Sequence, residues 1–437
     1  DERLMYEVFH HDALARRRLA SPSEIRGGAV PAPRAAPARR AASARSARPV
    51  AAARARPEEP RRTARRPRPA TVAARDAVPA EVLLQLRPAA EAGELARVAA
   101  RHRLRLLESA DLTLVGPVHR LRIADARPVA AVVRALQRDR GVAAAQPNFV
   151  FTLQQGASKA ADEIQYAVAK LRLREAHRLS KGSGVLVALI DSRMDEGHPE
   201  FAAAATEVVE LGPQARPHPH GTAMAGAILA RGKLLGASPE ARLLAIAAFA
   251  GAAGAEASSS SLQVLKALDR AHGARAKIAS LSFAGPHDPL LGRGVARARA
   301  EGMILVAAAG NRGDARPLYP AADPNVIAVS ATDAADRPYA RASRGRHVAV
   351  AAPGVDVLVA APGGGYGQSS GTSIAAAHVA GVLALAAARR PNLSPEEARA
   401  LLRDGARSLA GGDPERVGAG IVDAAAALER GPRVSLR

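Results

Sequence analysis

The stretch Gly371-Thr372-Ser373-Ile374-Ala375-Ala376-Ala377-His378-Val379-Ala380-Gly381 constrains the fold more than any other. It is small and apolar with one hydroxyl, that of Ser373, at its mouth, and Ile374 to Leu385 reads as a buried, Ala-rich helix that only a large core can house. Gly371 permits a tight turn ahead of it, so Ser373 falls at the helix start. Unpaired backbone N–H groups and the positive dipole end stabilise negative charge there. Two readings of Ser373 follow: an N-cap, a position serine favours, or a nucleophile whose oxyanion forms beside those amides.

The chain of 437 residues is long enough for two or three domains. Its 48% hydrophobic but 3% aromatic composition, without Trp, means a core of Ala, Val, Leu and Ile. The lack of Cys excludes a disulfide framework, a thiolate metal site and a cysteine nucleophile. No uninterrupted apolar run approaches the roughly 18 residues of a membrane span, so none is expected. No basic-then-apolar export signal follows Asp1-Glu2-Arg3.

The net charge of +21 invites a nucleic-acid reading, but it is unevenly spread. Between residues 13 and 75 stand 17 Arg against three acids, Glu24, Glu58 and Glu59, which accounts for most of the excess. From Ser21 to Arg75 the chain is Ala, Pro and Arg and cannot bury enough surface to offset ordering entropy. Residues 1–78 are therefore expected to be a disordered basic segment. An anionic tether is the alternative, but no aromatic residues are interleaved for stacking, and nucleic-acid binding is not expected.

At Pro79 the pattern changes. Strands over Glu81–Leu86, Leu106–Leu112, Val118–Ile123 and Val142–Phe151, with helices over Ala89–Leu104 and Pro128–Asp139, give a β-α-β-β-α-β order. This is a small ferredoxin-like α+β domain over 79–153, followed by a polar segment, Thr152 to Asp162, open to cleavage. In 160–437 continuous apolar strands alternate with helices: strands over Gly184–Ile190, Arg242–Phe249, Ala276–Phe283, Met303–Ala308, Val326–Thr332 and His347–Ala352, helices over Thr222–Leu229, Ser259–His272 and Pro289–Glu301. The fold class is α/β, a mostly parallel sheet with helices on both faces, and sites form at the carboxyl ends of such strands.

Polar candidates stand at those ends. Asp191 closes an apolar strand, His220 opens a helix in His218-Pro219-His220-Gly221-Thr222, and Asn311 follows Leu305-Val306-Ala307-Ala308-Ala309-Gly310. A serine hydroxyl needs a base, imidazole serves near neutral pH, a carboxylate fixes the imidazole tautomer, and an Asn amide can donate to an oxyanion. Each residue alone also fits a bland structural role: a turn-capping Asp, a helix-start His, a loop Asn.

Together, in the order Asp, His, Asn, Ser, these words resemble the subtilisin-like serine proteases, or subtilases, over roughly residues 160–430. Tyr319-Pro320-Ala321-Ala322, Val350-Ala351-Ala352-Pro353-Gly354 and Gly418-Ala419-Gly420-Ile421-Val422-Asp423 look like further family blocks. The resemblance implies a serine endopeptidase in which Asp191 orients, His220 is general base then acid, Ser373 is the nucleophile and Asn311 the oxyanion donor. Substrate chains would pair with edge segments at Ser282, Phe283, Ala284 and Gly285 and, more loosely, at Gly254, while Ala308 and Gly310 would wall the pocket before the scissile bond.

Residues 79–153 are similar in layout to the family's propeptide, which implies a zymogen whose own propeptide is an intramolecular chaperone and inhibitor, cleaved between about Phe149 and Ala160. Protein or peptide substrates, a monomer and a secreted or periplasmic location are implied as well. The rival is an idle protease fold tethered through its basic segment. No cofactor is expected; calcium stays an alternative, although Leu229 to Ser238 lacks the Asn-rich calcium loop of many secreted members. Arg193, Ala223, Ser280 and Ala377 depart from the family's usual Gly, His, Asn and Pro. Leu318, at the pocket base in place of a common Gly, predicts small or medium apolar residues before the cut, with acidic residues, favoured by Arg312 at the rim, as the alternative.

Overall fold

The computed structural model describes residues 76–88, 90–91, 93–154, 165–212, 216–251, 257–409 and 411–429. All lie in one compact unit, Pro69–Arg437. The basic segment through Arg75, with the disorder expected of it, lies outside the described residues, as does Gly254.

The N-terminal part runs β1 (Ala77–Leu86), α1 (Glu94–Arg101), β2 (Leu104–Leu112), β3 (Gly116–Ile123), α2 (Val129–Leu136) and β4 (Val142–Leu153). The order is β-α-β-β-α-β, with β1 starting ahead of Pro79. Helix α1 is shorter than Ala89–Leu104 because Gly93 and Arg103, both at positive φ, turn the chain at its two ends. Strands pair antiparallel in the order β4-β1-β3-β2. On β1 the alternation separates two cores: Val82 and Leu84 pack with Val98, Val132 and Leu136 of the two helices, whereas Leu83 joins Phe149, Phe151 and Leu153 in the core beyond.

The larger part begins with α3 (Tyr166–Lys170), α4 (Leu173–Leu179), β5 (Leu186–Ser192), β6 (Ala205–Glu210), α5 (Pro219–Leu229), β7 (Arg242–Phe249), β8 (Ser258–Ser260) and α6 (Ser261–Gly273). It continues with β9 (Ile278–Leu281), β10 (Phe283–Ala284), α7 (Pro289–Ala300), β11 (Ile304–Ala308), β12 (Ile327–Thr332), β13 (Val348–Pro353), β14 (Val357–Ala361) and β15 (Gly365–Ser369). Helices α8 (Thr372–Arg389), α9 (Pro395–Gly405), α10 (Pro414–Val417) and α11 (Ala424–Glu429) complete it. Seven strands form one sheet, β13-β12-β11-β9-β5-β7-β6, with every pair parallel.

These strands are apolar on both faces because helices cover both. Along β5, Val187 and Leu189 pack with α5 and α8, and the intervening Ala188 and Ile190 pack with α6 and α7. Helix α8 is buried from Thr372 to Ala387, and Ala377 sits inside it without a break. It is long and apolar enough to cross a bilayer, but its hydrophobic window is 89% buried in protein, as a core helix requires.

Two expected elements divide. The helix expected from Ser259 begins at Ser261, because Ser258–Ser260 are drawn into pairing with β4. The strand expected over Ala276–Phe283 ends at Leu281; beyond Ser282, β10 leaves the parallel sheet and also pairs with β4. Strand β4 thus runs antiparallel between β8 and β10, at the carboxyl ends of the central strands.

Candidate active site

Four elements converge there. Strand β5 ends in Asp191, α5 begins at Pro219 with His220 in its first turn, the loop after β11 carries Asn311, and α8 carries Ser373 in its first turn. All four residues are buried.

His220 Nδ1 stands 2.7 Å from Asp191 Oδ1. A carboxylate only accepts, so Nδ1 carries the proton and Nε2 keeps its lone pair. The same Asp191 oxygen accepts from the backbone N–H of Ser192 at 2.7 Å and from its hydroxyl at 3.0 Å, and Ser192 Oγ accepts from Gly221 N. Strand end and helix start are thereby tied together, which fixes the imidazole. His218, the N-cap of α5, accepts from His220 N at 3.1 Å. Burial pushes its imidazole below the ordinary value, reinforced by His220 and opposed by Asp191.

Asn311 Oδ1 accepts from both the N–H and the hydroxyl of Thr372, each at 3.1 Å, and the Thr372 hydroxyl accepts from Gly310 N. This turns the Asn311 amide so that Nδ2 is its free end. Among the described residues three buried polar atoms have no partner here: Asp191 Oδ2, His220 Nε2 and Asn311 Nδ2.

The Ser373 hydroxyl donates to the carbonyl of Gln154 at 2.6 Å, with Ser282 O as a second acceptor at 3.1 Å. Gln154 is the residue after β4. Its N–H donates to Ser282 O, and before it Leu153 and Thr152 pair in register with Phe283 and Ala284. On the other side Val150, Phe151 and Thr152 pair with Ser260, Ser259 and Ser258. Phe151 is fully buried, its ring edge-on to Phe283 at 5.8 Å. A Cβ on Gly285 would stand 2.4 Å from the Phe151 ring, so only glycine leaves room there. The structure therefore brings Ser282, Phe283, Ala284 and Gly285 against a peptide strand. Gly310 lies next to Asn311, and Ala308 is wholly buried on the α8 side of the sheet.

Sequence reasoning missed Ser192, Thr372 and the edge Ser258–Ser260. Thr372 was legible in principle as a second hydroxyl beside the candidate nucleophile, while the serine run was absorbed into a helix start. Of the departures, Arg193 is held by Glu210 at 2.7 Å and Glu196 at 2.8 Å. Ser280 Oγ is buried without a partner among the described residues.

Glu200, in the short helical turn Pro199–Phe201 between β5 and β6, is fully buried against the loop after α5. Its carboxylate accepts from the backbone N–H groups of Gly232, Lys233 and Leu234 at 2.8, 2.7 and 3.0 Å and from Tyr366 OH at 2.7 Å. Burial pushes this carboxyl up, but the Tyr366 and amide hydrogen bonds outweigh it and hold it below its usual value. The loop presents N–H donors to a carboxylate, a set that does not fit a calcium ion. Among the described residues no cluster of three or more His, Asp or Glu could hold a metal.

A model of the subtilase family matches residues 182–420. Savinase, a subtilisin from Lederbergia lenta, is 33% identical over 274 residues, covering 61% of this chain and 99% of its own. Subtilisin amylosacchariticus from Bacillus subtilis subsp. amylosacchariticus is 30% identical over 309 residues, covering 68% and 78%. Fervidolysin from Fervidobacterium pennivorans, a keratinolytic enzyme related to subtilisin, shares the fold with a TM-score of 0.71 at 21% identity; the match covers 83% of this chain and 63% of that one.

Proposed function

Since the chain belongs to the subtilase family of serine endopeptidases, we propose that Ser373, His220 and Asp191 are its catalytic triad and that Asn311 donates to the oxyanion. The observation that carries this is the pair of buried nitrogens without partners, His220 Nε2 and Asn311 Nδ2. Leaving a buried polar atom unpaired costs about 1–3 kcal/mol, a cost a folded chain bears where a reaction uses the atom.

The Ser373 hydroxyl turns from the Gln154 carbonyl to His220 Nε2, passes its proton there and attacks the substrate carbonyl carbon. Asp191 stabilises the imidazolium. Asn311 Nδ2 and the Ser373 N–H at the start of α8 receive the oxyanion. Collapse gives the acyl-enzyme as His220 protonates the leaving amine; water, activated by the same imidazole, then releases the acid. Catalysis in this family needs no cofactor, and Glu200 with its three amides takes the place of a calcium loop.

The proposal includes a zymogen. With its carbonyl at Ser373, Gln154 stands as the residue before a scissile Gln154–Gln155 bond, and β4 would remain in the cleft after the cut. The part of the chain through Gln154 then acts as an intramolecular inhibitor. A protease made with its cleft filled is harmless until exported, which suits a secreted or periplasmic enzyme.

Fluorophosphonate labelling of the processed protein tests the triad. A single adduct on Ser373, absent in Ser373→Ala and strongly slowed in His220→Ala, is expected. A processed, folded protein that takes no label would favour an idle binding protein.

A further inference from the structure

We infer that this enzyme selects glutamine before the scissile bond. The inference rests on the protease reading above.

The Gln154 side chain does not fill a deep apolar pocket. Its Oε1 accepts from the backbone N–H of Asn311 at 3.0 Å, while Nε2 turns to its own strand, with Thr152 O at 3.2 Å. The pocket base is closed: Leu318 is buried, and a Cβ on Gly310 would stand 2.4 Å from Leu318 Cδ1 and 2.9 Å from Ser343 Oγ. Ser343 is fixed in turn, its N–H donating to Gly310 O and its hydroxyl accepting from Arg312 N. What remains is a shallow site with one polar anchor, the Asn311 N–H. That amide belongs to the same residue whose side chain is proposed to bind the oxyanion, so recognition and reaction share one rigid support.

A small or medium apolar residue fits the shape, as Leu318 suggested, but leaves the Asn311 N–H covered and unpaired. Sites built to hydrogen-bond a substrate group discriminate strongly against analogues that lack it. Glutamate supplies the acceptor but sets a carboxylate against the Thr152 carbonyl, where the glutamine amide donates. Large aromatics meet Leu318. Three residues earlier, Phe151 occupies the space between Phe283 and Gly285.

The test profiles the processed wild-type protein on fluorogenic peptides Phe-Thr-Leu-X, with X as Gln, Leu, Phe or Glu, and normalises rates to fluorophosphonate-labelled Ser373. Gln is expected to exceed each of the others in kcat/KM by about tenfold or more. In Leu318→Gly the preference should shift toward Phe, a change in ratio that loss of stability alone would not produce. Labelled enzyme that cleaves the Leu or Phe peptide as well as the Gln peptide overturns this inference and leaves the protease reading intact. Failure to label overturns both.

Discussion

Two fully buried carboxylates lie nine residues apart, and the protein treats them in opposite ways. Glu200 is saturated, its two oxygens sharing three backbone amides and a phenol. Asp191 receives all its hydrogen bonds on Oδ1, one of them from His220, and Oδ2 has no partner among the described residues. A carboxylate whose capacity is used by fixed amides locks a loop. One with capacity left beside an imidazole can meet the positive charge that appears when the imidazole takes a proton. The difference separates a structural carboxylate from the one proposed to be catalytic more clearly than burial does.

The comparison can be broken by replacing each acid with its amide. Asp191→Asn should lower kcat by about 10⁴-fold with little change in thermal midpoint, because the neutral amide no longer selects the Nδ1–H tautomer; a loss below tenfold would make Asp191 structural. Asn311→Ala should cost about 100- to 1000-fold in kcat with KM nearly unchanged, the magnitude being that of a subtilisin's own oxyanion asparagine.

Glu200→Gln should do the reverse. It should lower the midpoint by about 5 °C and leave kcat/KM within about threefold, since a side-chain NH₂ would face backbone donors. The Glu200 carboxyl is held below its usual 4.5, so its stabilisation is fully present above that pH and fades as pH falls through the depressed folded value. Melting curves should therefore show the gap between wild type and Glu200→Gln closing in acid. The smallest effect is a null one: EDTA should leave that gap unchanged at neutral pH, whereas a gap that vanished in EDTA would make Glu200 a calcium ligand.

The sequence carried the sheet and the candidate site well because their signals are local. An apolar run ending in Asp191, a helix opening on His220 and a buried helix opening on Ser373 each fit within a dozen residues. Strand β8 was hidden because Ser258–Ser260 have no strand pattern of their own and extend only against β4. The hairpin β14–β15 was hidden likewise by Gly363, Gly364, Gly365 and Gly367, which read as loop until paired. The place of Gln154 at Ser373 was illegible in principle: nothing local marks the residue that a strand register sets against a candidate nucleophile. It follows from the register of Leu153 on Phe283, which delivers the next carbonyl to Ser373.

That register gives the most direct test of the whole account. Intact-mass analysis of the purified wild-type protein should find a new N-terminus at Gln155, and Ser373→Ala, folded to the same midpoint, should retain the uncut bond. A mutant cleaved at the same position, or a folded wild type that stays uncut, would contradict the central claim.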